Sequence, residues 1–218
     1  TVNSDGEQVL SVSLDGATAG CTSSVNGRTA TLTFTQSQLR AHIGERTLTV
    51  VTDKALYVGR MTIATLFIDS VDDMKAMAGY MQKEESMRAN RDGYFIMTDD
   101  VDMKDEVGFT INDVGTNGNN AANSWCGTFD GRGYLLKNLT VNHSGIFGHI
   151  GTYGIVKNLG IVNAAIQPRS NKPGTSVAGL FGVAVQGTID NCFAELTAMP
   201  DATEAGVFGR YIRDTGVV

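Results

Sequence analysis

Proline is scarce in this chain, with 3 copies in 218 residues, and tryptophan is scarcer, with 1. So little proline excludes a polyproline or collagen-like rod. Cysteine is also rare. Cys21, Cys126 and Cys192 lie far apart and lack the paired close spacing of a thiolate zinc site, and their odd number argues against a disulfide framework. They are expected to be buried, reduced thiols that act as small apolar side chains. No apolar run approaches the ~20 residues needed to cross a bilayer, so membrane insertion by a helix is not expected. Lys and Arg form no basic block and the net charge is −6, which disfavours nucleic acid as a partner. The chain opens at Thr1 with neither Met nor a signal-like segment, and it reads as a mature or excised fragment.

Glycine is abundant, with 26 copies beside an apolar fraction of 42%, a combination that suits tight turns between many short strands. Residues 8–14, 29–34, 46–52 and 56–68 are rich in Val, Thr, Leu and Ile with partial period-2 alternation, separated by Gly, Asn and Asp. Short strands at this spacing predict a small antiparallel sandwich over 1–68. The segment Gly44–Lys54 resembles the strand that closes immunoglobulin-like modules in bacterial surface proteins.

A cap helix is expected within a joint over 69–92. Ser70-Val71-Asp72-Asp73 resembles a capping box, with acidic residues in the electropositive first turn. Val71, Met74, Met77, Ala78 and Met81 follow at helical spacing, so one apolar face can cover the open end of whatever comes next.

From residue 93 to 218 the chain repeats itself. Gly145-Ile146-Phe147-Gly148, Gly179-Leu180-Phe181-Gly182 and Gly206-Val207-Phe208-Gly209 are three copies of one tetrapeptide, and their phenylalanines are expected to form a column. Leu136-Lys137-Asn138-Leu139, Val156-Lys157-Asn158-Leu159 and Ile189-Asp190-Asn191-Cys192 form a second recurring element. Alternation turns Leu136, Val156 and Ile189 inward and Lys137, Lys157 and Asp190 outward. The asparagines then fall at a corner, because Asn tolerates a left-handed backbone and its amide can bond the equivalent amide one coil away. One coil is read as Asn138 to Asn158, and the longer step to Asn191 is assigned to a polar loop at 167–177.

These residues carry a family resemblance. Gly127–Tyr134 followed by Asn138-Leu139, Ala178–Gly182 through Gly187–Cys192, and Tyr94–Met97 with Asp99–Met103 resemble proteins with GLUG-motif β-helix repeats. The resemblance implies a right-handed parallel β-helix and a bacterial protein that is extracellular or attached to the cell surface. The fold expected for the whole chain is all-β: an immunoglobulin-like sandwich, then a helix-capped parallel β-helix. The last copy breaks off inside a repeat at Thr215–Val218, so the array is expected to continue beyond this chain.

Function is less legible than fold. A non-catalytic adhesion fragment, monomeric and directed at glycans or host-surface molecules, is the first expectation. The N-terminal part of a β-helix polysaccharide lyase or glycoside hydrolase, and a passive stalk, stay open as alternatives. Trp125, Tyr153 and Phe193 are candidate sugar-stacking aromatics, with Arg169 and Lys172 in the polar loop as candidate polar contacts. Loops 167–177 and 197–205 are expected to flank a shallow groove. No catalytic set is recognised: His143 and His149 lack a Ser or Cys partner at a recognisable spacing. No cofactor is implied. Calcium is the one ion considered, with Asp99, Asp100 and Asp102 as weak ligand candidates, although their spacing lacks a Gly-centred calcium loop.

Overall fold

The computed structural model describes residues 2–3, 7–26, 29–81, 93–111, 124–167, 177–198, 204–209, 211–212 and 216–218. The architecture is all-β with two helices among the described residues, and the chain divides into two compact units, Thr1–Thr65 and Leu66–Val218.

In the first unit, Ala17–Thr18, Val9–Leu14, Gly44–Thr52 and Leu56–Ile63 form an antiparallel sheet in that order, and Val2–Asn3, Thr29–Thr33 and Thr22–Asn26 form a second one. Val12, Leu14, Val50 and Ile63 from one sheet and Leu32 from the other share a core with Phe34 and Leu39. The short helix Gln36–Arg40 between them has a capping box of Thr35 and Gln38, which the strand-rich context hides from a sequence reading. The expected strand at 56–68 divides. Leu56–Ile63 closes the first unit, whereas Leu66–Ile68 pairs in parallel with Tyr94–Met97 and begins the second.

The second unit is a curled stack of parallel strands. Leu66–Ile68, Tyr94–Met97, Thr128–Asp130, Ile155–Lys157 and Thr188–Asp190 make one face, each pairing with the next. Val101–Asp102, Leu135–Lys137, Gly160–Ile166 and Phe193–Ala198 make a second. His149–Ile150, Ala184–Val185 and Tyr211–Ile212 belong to a third. Within each face the strands of successive circuits lie side by side, so equivalent positions stack.

The helix Val71–Met81 starts as its sequence predicts. Ser70 Oγ accepts from Asp73 N at 3.3 Å and donates to Asp73 Oδ2 at 2.5 Å. Met74, Met77 and Ala78 enter the same core as Ile68, Phe95 and Met97. Met81's side chain lies outside what is described.

Val156 pairs with Ile189 and both are buried. Leu136 is buried too, but in a different column, between Val101 and Ile161. The residue stacked under Val156 is Phe129. The 20-residue step from Asn138 to Asn158 therefore crosses from one face to another and is not one circuit. Phe181 and Phe208 stack at 5.3 Å, as the repeat predicts, while Phe147 packs edge-on to Phe129 at 5.5 Å. The tetrapeptide glycines allow the circuits to approach: a Cβ on Gly145 would lie 2.3 Å from the Gly179 carbonyl oxygen. Lys157 lies on the outer side of its strand as expected, but it is half-buried and not fully solvated, 3.4 Å from Asp130 and over the Tyr94 ring.

Phe181→Ala empties a fully buried aromatic site between circuits and should cost about 3–5 kcal/mol in urea unfolding. Glu195→Ala, on the exposed side of its strand, should change stability by less than about 0.5 kcal/mol. Equal costs would mean that the inner and outer sides are misassigned.

Candidate functional site

The site is built at the corner between the first two faces. There the chain bends sharply from one face to the next, and the bend uses residues with positive φ. Asn158 has φ 53° and Asn191 has φ 49°, so the corner uses the residue type best able to adopt that conformation after glycine. Asn191 Nδ2 donates to Asn158 Oδ1 at 2.8 Å, and Asn158 Nδ2 donates to Asp130 Oδ1 at 3.0 Å. A carboxylate only accepts, so Asp130 dictates which end of every amide above it is the donor. A second corner repeats the pattern: Asn163 donates to Asn138 Oδ1, and Asn138 donates to Asp102 Oδ1 at 2.8 Å. Asn138 therefore stacks with Asn163 and not with Asn158.

Asp130 is buried and fully occupied. Besides Asn158, its Oδ1 accepts from Arg132 N at 3.0 Å, while its Oδ2 accepts from the Tyr94 hydroxyl at 3.2 Å and faces Lys157. Burial alone would raise its pKa, but the Asn158 amide, the Arg132 N–H and the Lys157 ammonium hold it below the ordinary carboxylate range. A carboxylate held ionised in this way is a poor proton donor.

Beside this ladder lies a groove of about 420 Å³ lined by Asp130, Arg132, Asn158, Gly160, Asn191 and Phe193. Gly160 stands between Leu135 and Phe193 on adjacent strands, and a Cβ there would meet the Phe193 ring at 2.6 Å, so the ring lies over a position with no side chain. Phe193 remains 54% exposed, Asn191 is also exposed, and exposed Arg132 (φ 51°) adds a cation.

The candidate residues separate. Phe193 lines the groove. Tyr153 is 71% exposed in the turn before Ile155–Lys157 and does not line it. Trp125 is corrected from an exposed aromatic to a core residue: it is 1% exposed, with ring centroids 5.4 Å from Phe95 and 5.2 Å from Phe147. Arg169 and Lys172 lie outside the described residues, as do 168–176 and 199–203 of the two loops expected to flank a groove. Asp99, Asp100 and Asp102 turn to protein donors instead of converging: Asp100 accepts from Leu135 N at 2.9 Å and pairs with Lys137 at 2.6 Å, and Asp102 takes Asn138 and Lys104 N. Asp99 Oδ1 accepts from Asp100 N at 2.7 Å. No group of three His, Cys, Asp or Glu able to hold a metal occurs among the described residues. All three cysteines are free thiols, half-buried where full burial is expected, and burial pushes the Cys192 thiol up.

Two features escape a sequence reading. Arg132, Asn191 and Gly160 line the groove through folding alone, with only the Asn repeat as a hint. Ser124 Oγ also lies 3.0 Å from His149 Nδ1, a pairing of residues 25 apart. Both are buried within the stack, so this contact belongs to the interior.

The ladder carries a pH signature. Hydrogen bonds hold Asp102 (from Asn138) and Asp100 (from Lys137) low as well, so the stability from all three carboxylates is fully present above the unfolded value of about 3.9 and disappears as pH falls through their lower folded values. Unfolding free energy should stay flat from neutral pH to about 5 and drop below about 4, with a smaller acid loss in Asp130→Asn. Asn158→Ala should cost about 2–4 kcal/mol, through lost ladder bonds and a left-handed alanine. Asn158→Gly should cost less, because only the bonds are lost. Equal costs in a denaturant titration would mean that backbone strain is irrelevant at this corner.

No protein-family model matches the chain, and no solved structure matches it. Among curated proteins it is similar to halomucin of Haloquadratum walsbyi, 27% identical over 174 residues, which is 73% of this chain and 2% of that protein. The chain thus spans a small fraction of the relative it matches.

Proposed function

We propose that this chain is part of an extracellular or cell-surface adhesion protein whose second unit is a right-handed parallel β-helix of GLUG type. It binds glycans or glycosylated host surfaces in the groove beside the Asn158–Asn191 corner. The first unit, read as an immunoglobulin-like module, serves as a spacer. The observation that carries this reading is the groove itself: an exposed aromatic ring beside a row of carboxamides, the pairing that apolar sugar faces and hydroxyl groups require. Likeness to halomucin supports a surface location. Catalysis receives less support, since Asp130 is the carboxylate in the groove wall and its oxygens are occupied by four partners.

A glycan array with the whole chain should give binding that Phe193→Ala weakens about tenfold or more, equivalent to about 1.4 kcal/mol, while circular dichroism shows the variant folded. Gly160→Ala, whose Cβ would meet both Leu135 and the Phe193 ring, should weaken the same glycans. Reducing-sugar and unsaturated-uronate assays should stay silent. Polysaccharide turnover abolished by Asp130→Ala would replace adhesion with a lyase or hydrolase. Silence in every assay from a folded chain would leave a passive stalk.

A further inference from the structure

In the first unit the strand order has a mechanical consequence. Gly44–Thr52 lies between Val9–Leu14 and Leu56–Ile63 and is antiparallel to both, so its two neighbours run parallel to each other. Val9, where the chain enters this sheet, pairs with Thr52 at one end of the central strand. Ile63, where it leaves, pairs with Gly44 at the other end. Tension carried along the chain through this unit therefore pulls Val9 and Ile63 in opposite directions, parallel to the strands. Such a load slides whole strands past one another, and the ladder bonds between Val9–Leu14 and the central strand bear it together instead of opening in turn.

The loaded end is also pinned. Gln8 N donates to Asp53 Oδ1 at 2.8 Å, and Asp53 N donates back to Gln8 O at 3.1 Å. Glu7 is buried just ahead of the strand: its Oε2 accepts from Thr52 Oγ1 at 2.5 Å, and the Tyr57 hydroxyl donates to the same carboxylate, 3.0 Å from Oε1. One side chain thus joins the entry of the first strand to the end of the central one and, across it, to the start of the third. Hydroxyl-to-carboxylate hydrogen bonds are strong, and burial keeps water from competing for them.

We infer that the first unit is a force-bearing clamp, which resists tension along the chain through the sheared ladders of Gly44–Thr52 and the Glu7 latch, and yields when the same strands are parted from one end. This gives the spacer a mechanical function and stands independently of what the groove of the second unit binds.

Single-molecule force spectroscopy on the whole chain tests it. Azide-bearing residues in place of Ala41 and Ala64, and a handle at Thr1, allow two pulling geometries at one loading rate. Pulling Thr1 against Ala64 shears the sheet once the short Val2–Asn3 pairing gives way. Pulling Ala41 against Ala64 grips the adjacent ends at Gly44 and Ile63 and unzips that hairpin pair by pair. Shear should need at least about threefold more force than unzipping, because forced unfolding follows the rate of barrier crossing and this barrier requires many bonds to fail at once. Tyr57→Phe keeps a ring against the core and removes the hydroxyl, so it should lower the shear force and leave the unzipping force, set at the far end of the hairpin, unchanged. Equal forces in the two geometries would overturn the clamp. An equal fall in both forces, or no fall in either, would overturn the latch as its reinforcement.

Discussion

The hydrogen-bonded corner columns Asp130–Asn158–Asn191 and Asp102–Asn138–Asn163 are the constraint on which the second unit depends. A parallel stack buries its apolar columns only if every circuit turns at the same place. Each turn needs a positive φ that most residues resist. Asparagine meets the backbone demand and then bonds its neighbour above and below. An aspartate in the lowest rung is no substitute of convenience, because its lack of a proton fixes the direction of each amide above it. The corner thereby aligns Phe129, Val156 and Ile189 in one interior column and Leu136 and Ile161 in another.

The groove follows from the same constraint. The chain passes Asn158 in a single step but takes Gly131, Arg132 and Gly133 to turn the corner above Asp130, where Arg132 and Gly133 both have positive φ. This wider turn flanks the groove beside the ladder, and the missing side chain at Gly160 lets Leu135 and Phe193 close over the strand. Phe193 leans over that groove, beside Asn191. Polar groups that hold the fold therefore also form the wall of the site. Such coupling explains why Asp130, a residue type that suggests acid–base chemistry, is spent on structure: its four partners stabilise the charged form that catalysis by proton donation would have to discharge.

Much of the stack was legible because repetition is a long-range signal carried by short strings. Val156 above Ile189, Asn158 beside Asn191 and Phe181 against Phe208 all follow from matching tetrapeptides. Misreading arose where two corners use the same chemistry. Leu136-Lys137-Asn138 and Val156-Lys157-Asn158 look like successive copies, yet they belong to different faces. Asp130, the true rung beneath Asn158, was hidden because a carboxylate in a Phe-Asp-Gly turn has local reasons to be there. Trp125 occurs once and outside any period, so nothing in the sequence revealed that it fills the core between Phe95 and Phe147. The cap helix was readable from Ser70 and its methionines, whereas Gln36–Arg40 is too short to show periodicity. Groove residues such as Gly160 and Arg132 acquire meaning only once register is known.

The central claim is that side-chain amides at both corners are mutually bonded and anchored on carboxylates. Hydrogen exchange of the carboxamide protons, followed by nuclear magnetic resonance on the 15N-labelled chain, tests it most directly. For Asn138, Asn158, Asn163 and Asn191 the account predicts one slow and one faster Nδ2 proton each, since each donates a single ladder bond. Equal and rapid exchange of both protons at all four residues, at the rate of exposed asparagines in the same sample, would contradict it.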